Sequence, residues 1–85
     1  MSARKDTFIQ SIMSAGFGHW RVIVVHYNYG RGENRFRTTS TTEWEHITTD
    51  SMAIDDFRSD DPARQKRGEK ALIRQAKRYG FKKKD

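Results

Sequence analysis

The sequence contains no cysteine, a single proline and no long hydrophobic run. Without cysteine, the chain has no disulfide, no thiolate nucleophile and no cysteine-ligated zinc. No apolar stretch approaches the ~20 residues of a membrane span, and Gln10, Ser11 and Ser14 interrupt the N-terminal apolar run where a signal peptide would continue it. The composition therefore predicts a soluble, cytoplasmic protein with no membrane partner.

Hydrophobic residues are scarce, at 34% of the 85 residues, and charged residues are nearly as frequent, at 33%. A chain of this length forms one small domain, here residues 1–85, and its core must be thin because few apolar side chains are available. A thin core leaves little room for a buried catalytic cleft.

Catalytic and metal-binding motifs are also missing. The three histidines, His19, His26 and His46, have no ligand spacing such as HExxH. Asp55 and Asp56 are adjacent, so on a helix they point about 100° apart and cannot flank one bond. No nucleophile elbow and no phosphate-binding glycine loop followed by a helix is present. We therefore predict a protein that is not an enzyme and that has no cofactor and no metal.

Charge is distributed unevenly around a net value of +6. Residues 1–42 hold six basic and two acidic side chains, residues 43–61 hold one and seven, and residues 62–85 hold ten and two. The molecule therefore has separate positive and negative regions, and a polyanion would meet the C-terminal region first. The alternative is that the acidic middle folds back on the C-terminal region and neutralises part of it.

Four apolar residues near the N-terminus recur at the spacing of an α-helix: Phe8, Ile9, Ile12 and Met13. Asp6 or Thr7 can cap the start of such a helix, and Gly16 can close its end. The pattern therefore predicts a short helix over residues 7–15.

A β-hairpin is predicted next. Residues 19–29, HWRVIVVHYNY, are rich in β-branched and aromatic side chains, and residues 34–41, NRFRTTST, are the natural antiparallel partner. A four-residue turn over 30–33 supplies two glycines and sets Tyr27 opposite Phe36.

Alternation along these strands separates two faces of the hairpin. The predicted core face holds Ile23, Val25, Tyr27, Tyr29 and Phe36. The predicted outer face holds His26, Asn28, Arg35 and Arg37, with Trp20, Val22 and Val24 further from the turn. Arg35 and Arg37, with Arg31 at the tip, can contact phosphates or base edges, as β-ribbons do in a groove. An ordinary polar sheet surface is the alternative.

The segment after the hairpin has two interpretations. Thr42 with Glu45 forms a capping-box pattern that can start a helix. The polar cluster at 48–51 instead favours a third strand or a loop to Thr49, followed by a short helix over 51–58. We favour the second interpretation.

The last helix has the clearest signals. Asp61 can cap it, Pro62 suits its first turn and a glycine follows its last turn, which predicts a helix over 62–79. Phe81 is expected to anchor the exit, and residues 82–85 are expected to form a disordered basic tail.

Together these elements predict a small α+β domain in the order α-β-β-(β)-α-α. It has an N-terminal helix, an antiparallel hairpin or three-stranded sheet, a short helix and a long basic C-terminal helix. We expect the two longer helices to pack on one face of the sheet.

The predicted last helix separates an apolar side from a basic side. The basic side holds Lys66, Arg67, Lys70, Arg74, Lys77 and Arg78. Like charges four residues apart repel each other, so folding alone does not require this arrangement, whereas a phosphate backbone would release counterions on binding it. The alternative is a solvated face that keeps a small protein in solution.

The acidic stretch over residues 43–61 can be interpreted as a surface that imitates phosphates or docks on a basic partner. The favoured interpretation is a solvated loop with helix caps, because aspartate is a preferred residue at helix starts.

Two resemblances add to these patterns. Residues 64–78, RQKRGEKALIRQAKR, and the element order resemble double-stranded-RNA-binding domains, although the helix starts with Asp60-Asp61-Pro62-Ala63 and not with that family's Gly-Ser-Lys-Lys. Residues 48–57, TTDSMAIDDF, between a hairpin and a basic helix, resemble small uncharacterised phage or prophage proteins. This second resemblance implies an accessory role of a mobile element that binds or inhibits host machinery.

The sequence thus predicts a non-catalytic accessory or regulatory protein that binds DNA or RNA. The basic side of the last helix would contact phosphates, and Arg31, Arg35 and Arg37 would make additional contacts. The alternative is a phage-type protein-interaction module that modulates a host protein complex through its hairpin or through residues 43–61.

Overall fold

The computed structural model describes residues 6–29 and 38–84. The elements are β1 (Thr7–Gly16), β2 (His19–Tyr29), β3 (Thr38–Thr48), α1 (Ser51–Phe57), α2 (Pro62–Tyr79) and β4 (Phe81–Lys84). The strands form one antiparallel sheet in the order β1-β2-β3-β4. The chain is therefore an α+β domain of order β-β-β-α-α-β, and the predicted order with an N-terminal helix is wrong.

The segment predicted as the N-terminal helix is strand β1, and a β-bulge explains the error. The pairing of β1 with β2 shifts by one residue at Gln10. Ile9 lies opposite Val24 and Ile12 opposite Val22, so the two isoleucines share one face although they are three residues apart. The bulge therefore produces in a strand the spacing that is typical of a helix.

A two-residue hairpin loop, Phe17–Gly18, joins β1 to β2. Both residues have positive φ, 54° at Phe17 and 77° at Gly18, as a type I′ turn requires. Gly16 also has a positive φ, 85°. This glycine therefore helps to turn a hairpin and does not end a helix.

Strands β2 and β3 pair in a register that differs from the predicted one. Tyr27 lies opposite Thr41 and not opposite Phe36, and His26 lies opposite Thr42. The predicted pairing of Tyr27 with Phe36 is therefore wrong. Residues 30–37, which include the predicted turn, lie outside the described residues.

The two C-terminal helices begin where the sequence predicts because their N-caps are in place. The Asp50 side chain accepts a hydrogen bond from the Ala53 N–H at 3.1 Å, and the Asp61 side chain accepts one from the Ala63 N–H at 3.0 Å. Helix α2 spans the predicted range, and α1 ends at Phe57, one residue before the predicted end.

Both helices cover the sheet face that was predicted to be the outer face. Val22 and Val24 have no exposed surface and belong to the same core cluster as Leu72 of α2. Ile23 and Val25, the predicted core residues, are also buried, with 8% and 7% of their surfaces exposed, but they alternate to the opposite face. Since β2 is apolar on both faces, alternation alone could not decide which face the helices cover.

The lysine-rich segment predicted as a disordered tail contributes strand β4. Phe81 lies opposite Glu45, and Lys83 lies opposite Glu43. The Lys83 ammonium also lies 3.6 Å from a carboxylate oxygen of Glu45, so opposite charges support this edge of the sheet. Phe81 does not anchor the helix exit as predicted, because 77% of its surface is exposed.

No described helix covers the sheet face opposite α1 and α2, which we call the open sheet face. It includes Phe8, Met13, Arg21, Ile23, Val25, Tyr27, Glu43, Glu45, Ile47, Phe81 and Lys83. The Phe8 and Tyr27 rings lie 5.2 Å apart, and Arg21 forms an ion pair with Glu45 at 2.6 Å. Neither described helix combines the length and the apolar character needed to cross a bilayer.

Candidate nucleic-acid interface

Helix α2 holds the strongest concentration of charge in the described chain. Leu72 and Ala76 have no exposed surface and fix one side of the helix against the sheet. The Gly80 N–H donates to the Ala76 carbonyl at 2.8 Å and completes the last turn. Because one side of α2 is fixed in the core, the orientation of its opposite side is fixed too.

That opposite side is the basic face of α2. It consists of Lys66, Arg67, Lys70, Arg74, Lys77 and Arg78, all of which are exposed. At about 1.5 Å of rise per residue, the first and last of these residues lie roughly 18 Å apart along the helix axis. The structure thus brings all six predicted helix residues to one exposed surface.

Arg67 is the member of the basic face with a carboxylate partner. Asp56 of α1 accepts hydrogen bonds from Arg64 at 3.1 Å and from Arg67 at 3.3 Å. The Arg64 hydrogen bond is the main cause that holds the pKa of Asp56 below its ordinary value, while desolvation opposes it and Arg67 adds to it. Arg67 therefore helps to join α1 to α2, and its charge is partly compensated.

Lys66, Lys70 and Arg74 form the centre of the basic face. Among the described residues, no carboxylate lies within ion-pair distance of these three side chains. They line a shallow open groove together with Ala63 and Ala71. The small alanines leave the cations accessible, so an extended anion can approach all three.

The C-terminal part of the basic face combines cations with aromatic rings. The Lys77 ammonium lies 5.5 Å from the centre of the Trp44 ring, and the Arg78 guanidinium lies 5.4 Å from the centre of the Tyr79 ring. Lys82 of β4 lies opposite Trp44, on the helix side of the sheet. The sequence does not predict Trp44, Tyr79 or Lys82 at this site, because it predicts residues 82–85 as a disordered tail and carries no local signal for the pairing of β3 with β4.

The acidic residues of 43–61 are largely engaged within the fold. Asp50 and Asp61 cap the two helices, and Asp56 binds two arginines. Glu45 pairs with Arg21 and with Lys83. These contacts favour the interpretation of the segment as helix caps and local ion pairs over that of an acidic docking surface.

The hairpin arginines Arg31, Arg35 and Arg37 lie outside the described residues.

In the part of the chain that the structure describes, no group of three histidine or carboxylate side chains has the geometry of a metal site. The basic face is therefore the main site that the described residues offer to a charged ligand.

Comparison with protein-family models, with curated proteins and with solved structures finds no match for this chain.

Proposed function

We propose that the protein is a non-catalytic nucleic-acid-binding protein that contacts the phosphate backbone through the basic face of α2. The observation that supports this proposal best is the row of Lys66, Lys70 and Arg74, which have no carboxylate partner among the described residues. Helix α2 is held by its apolar side, so this repulsive row is not needed for folding. Phosphates would relieve the repulsion and release their counterions.

The geometry suits a backbone ligand better than a single small anion. The basic face extends about 18 Å along the helix axis, and residues four apart lie about 6 Å from each other. A series of phosphates can follow such a row, whereas one small anion can satisfy only part of it. Binding of this kind is sequence-independent and depends strongly on salt.

A salt titration tests the proposal. Fluorescence anisotropy with labelled oligonucleotides should give micromolar binding whose logarithm falls linearly with the logarithm of salt concentration. The double variant Lys70→Gln, Arg74→Gln should weaken binding of many sequences alike. It should also reduce the slope of log affinity against log salt concentration by about 2, because each lost phosphate contact lowers that slope by about 1.

The matched control removes the same charge from the open sheet face. The double variant Arg21→Gln, Lys83→Gln lowers the net charge equally but leaves α2 unchanged, so its salt slope should stay close to that of the original protein. Equal losses of affinity and of salt slope in the two double variants would mean that only net charge matters. That result would overturn the assignment of the binding site to α2.

The open sheet face favours a second candidate function, a protein-interaction module. Its centre contains Ile23, Val25 and a Phe8–Tyr27 ring pair, and no described helix covers it. The same face carries the exposed apolar side chains Met13, Ile47 and Phe81, and exposed apolar side chains mark interaction sites in many proteins. Absence of any salt-dependent oligonucleotide binding would favour this candidate, with Phe8→Ser and Tyr27→Ser as the variants that should weaken capture of a partner.

A further inference from the structure

Tyr79 is an aromatic residue that the fold leaves in solvent. It occupies the last position of α2, and 66% of its surface is exposed. The His46 ring of β3 lies beneath it, with ring centres 6.4 Å apart and planes inclined by 27°. Tyr79 is therefore supported from the sheet while most of its surface stays accessible.

A cation lies over this ring. Arg78 lies over the Tyr79 ring, and Lys77 lies over the ring of Trp44, two residues before His46 in β3. A guanidinium on a ring face shows that a planar group fits there. Arg78 is itself exposed, so it can move to a phosphate and leave the ring face to another planar group.

This arrangement favours a single-stranded nucleic acid over a duplex as the ligand. Phosphate contacts alone do not require unpaired bases, because single strands and duplexes both present a charged backbone. In a duplex the base faces are stacked inside, whereas a single strand can place a base on an aromatic side chain next to its phosphates. An exposed ring next to Arg78, at the end of a phosphate-binding surface, therefore adds affinity mainly for single strands.

We propose that Tyr79 is a base-stacking site and that the ligand of the basic face is single-stranded nucleic acid. This inference rests on the proposed function, since the cations of α2 must first bind the backbone. The strand would follow the basic face of α2 past Arg74 to Arg78 and place a base on Tyr79, the next residue, at the end of the helix.

Phe81 provides a matched control. It is as exposed as Tyr79 and lies two residues away in the sequence, but it alternates to the open sheet face while Lys82 stays on the helix side. Removing its ring changes exposed aromatic surface by a similar amount without changing the proposed stacking site.

The experiment measures anisotropy with three labelled ligands of equal length: a mixed-sequence single strand, the matching duplex and an abasic strand. We expect Tyr79→Leu to weaken single-strand binding by about 5- to 150-fold, the range for loss of one stacked base. Binding of the duplex and of the abasic strand should change little. The salt slope should stay constant because no phosphate contact is lost, and Tyr79→Phe should retain affinity because it keeps the ring.

Each failure has a distinct signature. If none of the three ligands binds with a salt-dependent affinity, the proposed function itself is wrong. If all three bind and Tyr79→Leu leaves the ratio of single-strand to duplex affinity unchanged, the function stands and the stacking site is overturned. An equal loss of single-strand affinity in Phe81→Leu would overturn the assignment to Tyr79.

Discussion

Gly68 of α2 packs directly against the backbone of Ala53 in α1. A Cβ atom placed on Gly68 would lie 2.6 Å from the Ala53 carbonyl oxygen and 2.9 Å from the Asp56 carbonyl carbon, and it would overlap the Phe57 nitrogen. All three are backbone atoms, which cannot rotate away as the end of a side chain could. The glycine therefore sets the distance between the two helices.

Gly68→Ala should destabilise the protein even though alanine is the better helix former. The gain in helix propensity is at most about 1 kcal/mol, and overpacking of a closed contact costs about 1–3 kcal/mol or more. We expect a net loss of about 1–2 kcal/mol in the free energy of unfolding, measured by urea denaturation. Gln65→Ala, an exposed substitution on the same helix, should change it by less than about 0.5 kcal/mol. A Gly68→Ala variant as stable as the original protein would contradict the close packing.

The two C-terminal helices could be predicted because their signals are local. Asp61 and Pro62 mark the start of α2, and the polar cluster before Ser51 marks the start of α1. Capping depends on residues within a few positions of each other, so it requires no knowledge of tertiary contacts. The exposed position of the six basic residues followed from the same helix.

Strand β2 was predicted over its observed range, but strand β1 and the choice of core face could not be predicted because their determinants are not local. The bulge at Gln10 places Ile9 and Ile12 on one face and so imitates a helix, and it is defined only by the pairing with β2. Likewise, either face of β2 could form the core, and only the packing of α2 on Val24 decides between them. The position of Tyr79 in the candidate site therefore also depends on which face of β2 is covered by α2.

The hairpin loop between β1 and β2 contains a residue that does not suit its backbone. Phe17 has a φ of 54° and is fully exposed, so its ring gains no packing that would offset the unfavourable conformation. A left-handed conformation costs a non-glycine residue about 1–2 kcal/mol, and asparagine tolerates it best. Phe17→Asn should therefore stabilise the protein by about 0.5–1 kcal/mol, visible as a higher melting temperature.

Phe17→Ala is the control for this prediction. It removes the same exposed ring but keeps a residue that disfavours positive φ. A gain confined to Phe17→Asn would assign the effect to the backbone, whereas equal gains in both variants would assign it to loss of exposed apolar surface.

The ion pairs of Asp56 should make stability depend on pH in one direction. Arg64 and Arg67 hold the pKa of Asp56 below its ordinary value, so the folded state favours the carboxylate. This contribution is fully present above about pH 4, the usual range of the unfolded carboxyl group, and is lost as the pH falls through the lower folded value. Asp56→Asn should therefore be less stable than the original protein at pH 7, and the difference should narrow at pH 3.

Asp55→Asn is the control for Asp56→Asn, because Asp55 is the exposed neighbour on the same helix. Its effect on the free energy of unfolding should be small at both pH values. A difference between Asp56→Asn and the original protein that stays constant from pH 7 to pH 3 would show that the carboxylate charge is not what joins α1 to α2.

Two adjacent valines of β2 test which face of the sheet forms the core. Val24 has no exposed surface and packs beneath α2, whereas Val25 belongs to the open sheet face. Threonine has nearly the same shape as valine, so each substitution mainly adds a hydroxyl group. Val24→Thr buries that hydroxyl without a free partner and should cost about 1–3 kcal/mol. Val25→Thr should cost less than Val24→Thr, because 7% of Val25 remains exposed and no described helix packs over it. Urea denaturation shows which of the two variants loses more free energy of unfolding. A larger loss in Val25→Thr would mean that the core lies on the opposite face.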